Sequence, residues 1–235
     1  PSADYSWDYC TLAPPYCSHT VIRSHLPVVG IEDPVTGRTV HAWVETQSLD
    51  DEDGLGEIWL TGGLSNTSYP DRLIKPSKLS QTATFPSTGS NWDHTGRTDA
   101  LPSIACADAQ WNGPSGGYNC IIAWTDKGLG KLAGNTVLYR FFKVKSDGTI
   151  AWAPGNGYVR SYSETASSPA VGFFADKMWM AWKDISSTPT MKVYNSSSAG
   201  FWSYVEAIQA ADAVGAPSFA ARDGYSSALV WGESL

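Results

Sequence analysis

Val40-His41-Ala42-Trp43-Val44-Glu45 returns three times along the chain. The later copies are Ile121-Ile122-Ala123-Trp124-Thr125-Asp126, Trp179-Met180-Ala181-Trp182-Lys183-Asp184 and Ala228-Leu229-Val230-Trp231-Gly232-Glu233. In each copy a small or apolar residue precedes the tryptophan, and an acid follows two places after it. Upstream of each lies a proline that opens another apolar run: Pro27-Val28-Val29-Gly30, Pro102-Ser103-Ile104-Ala105, Pro169-Ala170-Val171-Gly172 and Pro217-Ser218-Phe219-Ala220. The proline-to-tryptophan separations are 16, 22, 13 and 14 residues. Self-similarity of this kind is the sequence signature of a repeat architecture.

The rest of each unit follows from the same reading. A third strand is expected at Glu57-Ile58-Trp59-Leu60-Thr61, at Thr136 to Val144 and at Thr190 to Tyr194. Turns rich in Ser, Gly, Asn and Asp come next, each followed by a tryptophan: Trp92, Trp152 and Trp202. Each of these is expected to open a fourth strand, best seen in Trp202-Ser203-Tyr204-Val205-Glu206-Ala207-Ile208. Short apolar runs separated by turn clusters are strand-and-hairpin signals. Four antiparallel strands in a unit of about fifty residues predict an all-β fold, a β-propeller of four-stranded blades. One small sheet cannot bury two apolar faces alone, so each blade must pack on the next.

The blades fall at approximately 27–100, 101–166 and 167–215, with a partial one at 216–235. That is about three and a half blades. Residues 1–26, strand-like over Ser18 to Ser24, form an N-terminal segment. They either supply the missing strands and close a four-bladed ring, or the chain is part of a larger propeller. Closure matters because an open ring leaves an apolar face and bare strand edges. The start at Pro1 reads as a mature or processed terminus.

Composition agrees. The 235 residues include 22 Gly, 14 Pro, 11 Trp, 11 Tyr and 7 Phe, with 17% charged residues and a net charge of −7. Aromatic richness with few charges excludes a disordered chain. An acidic balance without a Lys/Arg cluster excludes a basic nucleic-acid binder. No apolar run is long enough for a membrane span. The four cysteines form two close pairs, Cys10 with Cys17 and Cys106 with Cys120, the spacing of two local disulfides in a secreted or cell-surface protein. Zinc-ligand spacing is absent. The sequons at Asn66 and Asn195 point the same way.

Ser168-Pro169-Ala170-Val171-Gly172-Phe173, continuing through Trp179-Met180-Ala181-Trp182-Lys183-Asp184 to Trp202, resembles the repeats of bacterial and fungal sialidase-like (BNR-type) propellers. It is also similar to the repeats of bacterial propeller lectins that bind fucose or other sugars. The resemblance covers blade three well, blades two and four partly and blade one loosely. It implies a propeller fold and a carbohydrate setting. The sialidase Asp-box has its residue types at Ser146-Asp147-Gly148-Thr149 and Trp152, at a different spacing. The arginine triad and the Tyr/Glu nucleophile pair of sialidases find no counterpart.

Among residues that carry chemistry, Gly113-Pro114-Ser115-Gly116-Gly117 matches a nucleophile elbow literally, but it lies in a hairpin loop and not on a strand-to-helix turn. Glu45, Asp126, Asp184 and Glu233 form a repeated acid set. Recurrence in every blade assigns them to locking turns, since a catalytic pair is unique. Asp50-Asp51-Glu52-Asp53-Gly54 is an acidic loop without the alternating ligands of a calcium-binding loop, so calcium is a minor expectation and no other cofactor is expected. The histidines show no ligand spacing; His41 reads as a packed strand residue.

Sugars stack their C–H faces on aromatic rings while acids and amides take the hydroxyls. Trp111 and Tyr118 on the long loop of blade two, with Asp108 and Asn112 beside them, are therefore the first candidate ligand-binding residues, Trp111 being expected to stand exposed. Trp92, Trp152 and Trp202 are the second set, either lining repeated pockets between blades or serving as core wedges. The expected function is a secreted, non-catalytic, lectin-like module that binds glycans or glycoconjugates. Two alternatives stand beside it: a fragment or subunit of a sialidase-like glycosidase completed by a second polypeptide, and a docking propeller in a larger extracellular assembly.

Overall fold

The computed structural model describes residues 4–9, 18–23, 29–45, 56–62, 77–78, 97–98, 100–109, 111, 116–126, 136–153, 157–158, 167–184, 189–196, 202–209, 213–221 and 227–233. Among them there is no helix; every regular element is a strand and every pairing is antiparallel. An N-terminal hairpin, β1 (Asp4–Tyr9) and β2 (Ser18–Arg23), forms a two-stranded sheet of its own.

Four further sheets follow in chain order. Sheet one contains β3 (Val29–Asp33), β4 (Arg38–Glu45), β5 (Gly56–Thr61), β6 (Ser77–Lys78) and β7 (Arg97–Thr98), with β6 and β7 both on β5. Sheet two contains β8 (Ser103–Cys106), β9 (Cys120–Asp126), β10 (Thr136–Val144), β11 (Ile150–Trp152) and β12 (Gly157–Tyr158), with β11 and β12 both on β10. Sheet three is β13 (Ala170–Phe174), β14 (Lys177–Lys183), β15 (Thr190–Ser196) and β16 (Ser203–Gln209) in sequential order. Sheet four is the hairpin β17 (Ala213–Ala221) and β18 (Ser227–Glu233).

The local sequence explains these elements. Residues Ile121 to Ala123 of β9 are all apolar and fully buried, because both faces of sheet two are covered. Strand β14 alternates instead: Met178, Met180 and Trp182 face one neighbour, and Trp179 and Ala181 the other. The β13–β14 hairpin turns through Ala175 and Asp176, both at positive φ (49° and 57°), the conformation of a two-residue hairpin turn. Pro102 and Pro169 sit just before β8 and β13. Pro217 does not open a strand. It lies inside β17, where the register with β18 shifts between Val214 and Ser218, and an irregular ladder tolerates a residue without an N–H. Trp152 likewise ends β11 rather than opening a strand, while Trp202 directly precedes β16.

The sheets pack face to face in chain order, and three apolar clusters are the three seams. Sheets one and two meet through Val40, Ala42, Val44, Ile58 and Leu60 against Ile122, Trp124, Leu138 and Phe142. Sheets two and three meet through Ala105, Ile121, Ala123, Val137, Tyr139 and Phe141 against Val171, Met178, Met180 and Trp182. Sheets three and four meet through Ala181, Met191 and Val193 against Phe219, Leu229 and Trp231. The repeat tryptophan therefore points to the preceding sheet at every seam, and the small residue before it points to the following one.

The first strands of the four sheets lie side by side: β3 touches β8, β8 touches β13, and β13 touches β17. Gly172 permits the last approach, since a Cβ there would come within 3.0 Å of Phe219. A hollow of about 330 Å³ opens along this row, lined by Ile31, Ser103, Val171, Phe173, Pro217 and Phe219 among others.

Polar locks hold the first seam. Asp33, fully buried at the β3–β4 turn, accepts hydrogen bonds from the Val35 amide (3.1 Å), the Thr36 hydroxyl (2.5 Å) and the Asn119 side-chain amide (2.6 Å). Asn119 also donates to the Ala107 carbonyl at 3.1 Å. Beside it Cys106 and Cys120 are directly opposed in the ladder and joined by a disulfide, as their spacing predicted. Cys10 and Cys17 lie outside the described residues.

Candidate functional site

The most exposed aromatic side chain among the described residues is Tyr204, at 55%. It stands on β16, the outer strand of sheet three, opposite Tyr194 of β15. The two rings meet edge to face at 5.4 Å, and Tyr194 stacks on Trp182 at 5.0 Å with an interplanar angle of 9°. A ladder of three rings thus runs from Trp182, 1% exposed in the seam core, to open solvent at Tyr204. The register shift between Val193 and Tyr194 sets this pairing. Without it, Tyr204 and Tyr194 would not sit directly opposite each other on the same face.

A charged pair flanks the ladder. Lys192 approaches the buried Asp184 carboxylate at 3.6 Å. The Tyr194 hydroxyl is held above the usual phenol range, first by burial and then by the neighbouring Tyr204 and Asp184. It therefore stays a neutral donor and acceptor at physiological pH. Trp202, at the entrance to β16, packs across the seam on Tyr139 (5.4 Å, edge to face) and Phe141 (6.5 Å, stacked), and remains half-buried. Burial also raises the Tyr139 hydroxyl. Chemically this is a stepped aromatic surface, its outer ring turned edge to face on Tyr194, with the Lys192 ammonium and the phenol hydroxyls beside it and the Asp184 carboxylate buried behind the lysine.

The residues singled out by sequence fall in several places. Trp111 does not stand exposed. It is 8% exposed and fills the seam between Phe141 (5.8 Å) and Phe173 (6.1 Å). The turn after β8 directs it inward: the Asp108 carboxylate accepts the Trp111 amide at 3.1 Å, and the Asp108 carbonyl accepts it at 3.3 Å. Asp108 is thus a turn residue. Tyr118 is half-buried under the Lys143 ammonium, 4.9 Å from its ring centre, while that ammonium donates to the Gly116 carbonyl at 2.6 Å. Trp152 is half-buried on Phe142 at 5.7 Å, with the Arg140 guanidinium 4.7 Å above its ring. Arg140 is itself buried, which pulls its guanidinium down to about 10.

Of the repeated acids, Asp184 is seen in full, and its ion pair with Lys192 is consistent with a locking role. Glu45, Asp126 and Glu233 occupy the equivalent ends of β4, β9 and β18, but their side chains lie outside the described residues. So do Asn112, Trp92, the acidic loop 50–54 and residues 113–115. Gly116 and Gly117 form an exposed turn at positive φ. His41 is half-buried, and burial pushes its imidazole below the usual histidine range.

Among the described residues, one cluster has metal-ligand chemistry: Asp33 with Cys106 and Cys120. Its sulfurs are joined to each other and its carboxylate is occupied by three donors. No described helix is long and apolar enough to cross a membrane.

Sequence reasoning missed Tyr194, Tyr204 and Lys192. The available signal was the run Ser203-Tyr204-Val205, two bulky residues in succession where a strand would alternate. A half-buried strand alternates, so one of the two had to face solvent. No family model, no curated protein and no solved structure matches this chain.

Proposed function

We propose that this chain is a secreted, non-catalytic, carbohydrate-binding β-propeller module, lectin-like in use. The stacking of four sheets in chain order, first strands side by side, supports the propeller reading. A disulfide closing the loop between β8 and β9 supports an oxidising compartment. The observation that carries the ligand class is the Trp182–Tyr194–Tyr204 ladder, which ends in an exposed ring beside Lys192 and Asp184. Pyranose rings offer the exposed Tyr204 ring an apolar face for stacking and offer equatorial hydroxyls to the Lys192 ammonium. Half-buried indoles recur near the seam rims at Trp152 and Trp202, the geometry for several weak sites.

A glycan array followed by calorimetry tests the reading. Free sugars bind weakly, and a multivalent display of the same sugar gains at least about 10²-fold. Replacing Tyr204 by Ala weakens the interaction about tenfold, whereas Tyr204→Phe retains most of it. An array and a calorimetric series both silent across neutral, acidic and sulfated glycans would overturn it.

A further inference from the structure

Strand β13 is the edge strand of sheet three, paired with β14 on one side and lying beside β8 and β17 on the other. On that other side the Val171 amide donates to the Ser103 hydroxyl of β8 at 3.1 Å. In an antiparallel ladder the peptide groups of one strand point alternately toward the partner and away from it. The β13–β14 register runs without a shift, so the Phe173 peptide group turns the same way as that of Val171. Both residues line the hollow of about 330 Å³ along the first strands. The facing wall belongs to β17 where its ladder is irregular: β17 carries extra residues relative to β18 between Val214 and Ser218, and Gly215 takes a φ of 76° there. This irregularity brings buried Pro217 and half-buried Phe219 to the hollow. Extra residues of this kind bend a strand and recur beside binding sites.

We propose that this hollow binds a small uncharged molecule: a single apolar ring that bears an amide or hydroxyl group. Its volume lies at the lower end of the range of ligand sites, about 300–1,000 Å³, which suits one ring and not a chain or a folded partner. Its walls set the chemistry. Ile31, Val171, Phe173, Pro217 and Phe219 offer apolar and aromatic surface to a ring. The Ser103 hydroxyl and the Phe173 peptide group offer hydrogen bonds to an amide or hydroxyl. Ser103 is the orienting residue: its oxygen accepts from Val171, and its own proton remains to be donated to a ligand carbonyl. Such walls match an amide's N–H and C=O. They supply no counter-charge to an ion, whose desolvation would go uncompensated. The hollow lies on the first strands, whereas Tyr204 stands on the last strand of sheet three, so the inference is independent of glycan binding.

Titration of benzamide into the isotope-labelled intact chain, followed by amide NMR, tests it. Benzamide gives saturable, single-site shifts at Ser103, Val171, Gly172, Phe173, Ser218 and Phe219, and leaves Tyr204 and Lys192 unmoved. Benzoate and benzylammonium, which put a charge on the same ring, bind at least about tenfold more weakly. Ser103→Ala weakens benzamide by about threefold to tenfold, the loss of one hydrogen bond. Tyr204→Ala leaves its binding unchanged. An amide spectrum of Ser103→Ala that differs from the wild type only around position 103 separates a lost contact from misfolding. Benzamide that moves none of these amides up to its solubility limit overturns the inference, as does equal binding of the charged analogues. Shifts centred on Tyr204 also overturn it, since they place the ring on the outer aromatic surface.

Discussion

Ala181 and Val230 occupy the same position of the same six-residue repeat, yet one is wholly buried and the other is half in solvent. Their strands have similar hydrogen bonding on one side: β14 pairs with β13, and β18 pairs with β17. What differs is the neighbour. Sheet three has two further strands and a sheet on each face, whereas sheet four has two strands and one covered face. The repeat thus specifies a strand with two apolar faces, and a position in the stack determines how much of that apolar surface leaves water. Burial in a repeat protein belongs to the seam between units rather than to the unit.

Charge insertion breaks this comparison most strongly. Ala181→Glu places a carboxylate in a sealed seam and costs several kcal/mol, enough to abolish cooperative urea unfolding. Val230→Glu, at a side chain half in solvent, changes stability by no more than about 0.5 kcal/mol. Equal losses at the two sites would show that sheet four is covered after all.

Tryptophan truncation sharpens it. Trp124 is 0% exposed between sheets one and two, so Trp124→Ala removes a full side chain from a packed seam and costs about 3–5 kcal/mol. Trp231, half-buried at the last seam, loses less than half as much on truncation to Ala. Urea midpoints of the two variants, taken with a constant slope, measure the difference.

The smallest effect is a pH dependence at the other end of the stack. His41 lies on the Trp43 side of β4, where burial holds its imidazole below the usual histidine range. The unfolded chain therefore binds a proton that the folded chain refuses as pH falls through 6.5. Stability is lost in that window and levels off below the folded value. His41→Gln removes this component, and thermal midpoints recorded from neutral pH downward reveal it as a flatter profile.

Much of the fold was readable because strand patterns are local. The third strands expected at Glu57 to Thr61, Thr136 to Val144 and Thr190 to Tyr194 are present as β5, β10 and β15, and the Cys106–Cys120 bridge joins the ends predicted for it. Alternation and turn residues act over a few positions, so they appear in the sequence. The candidate site was far less legible. Trp111 looked like an exposed loop residue because nothing near it in sequence shows that Phe141 and Phe173 leave a gap for it. Tyr204 looked like an ordinary strand residue because its exposure follows from the edge position of β16 and its pairing with Tyr194 from a register shift.

The sequence by itself determined the strands, the antiparallel hairpins, the disulfide between opposed cysteines and the repetition of one unit. All of these depend on neighbours along the chain or across one turn. Only the tertiary structure decided which tryptophans became wedges, which ring remained in solvent and which sheet face was left without a cover. Those outcomes depend on contacts between units far apart in sequence, where the same residue type is buried or exposed according to what stacks upon it.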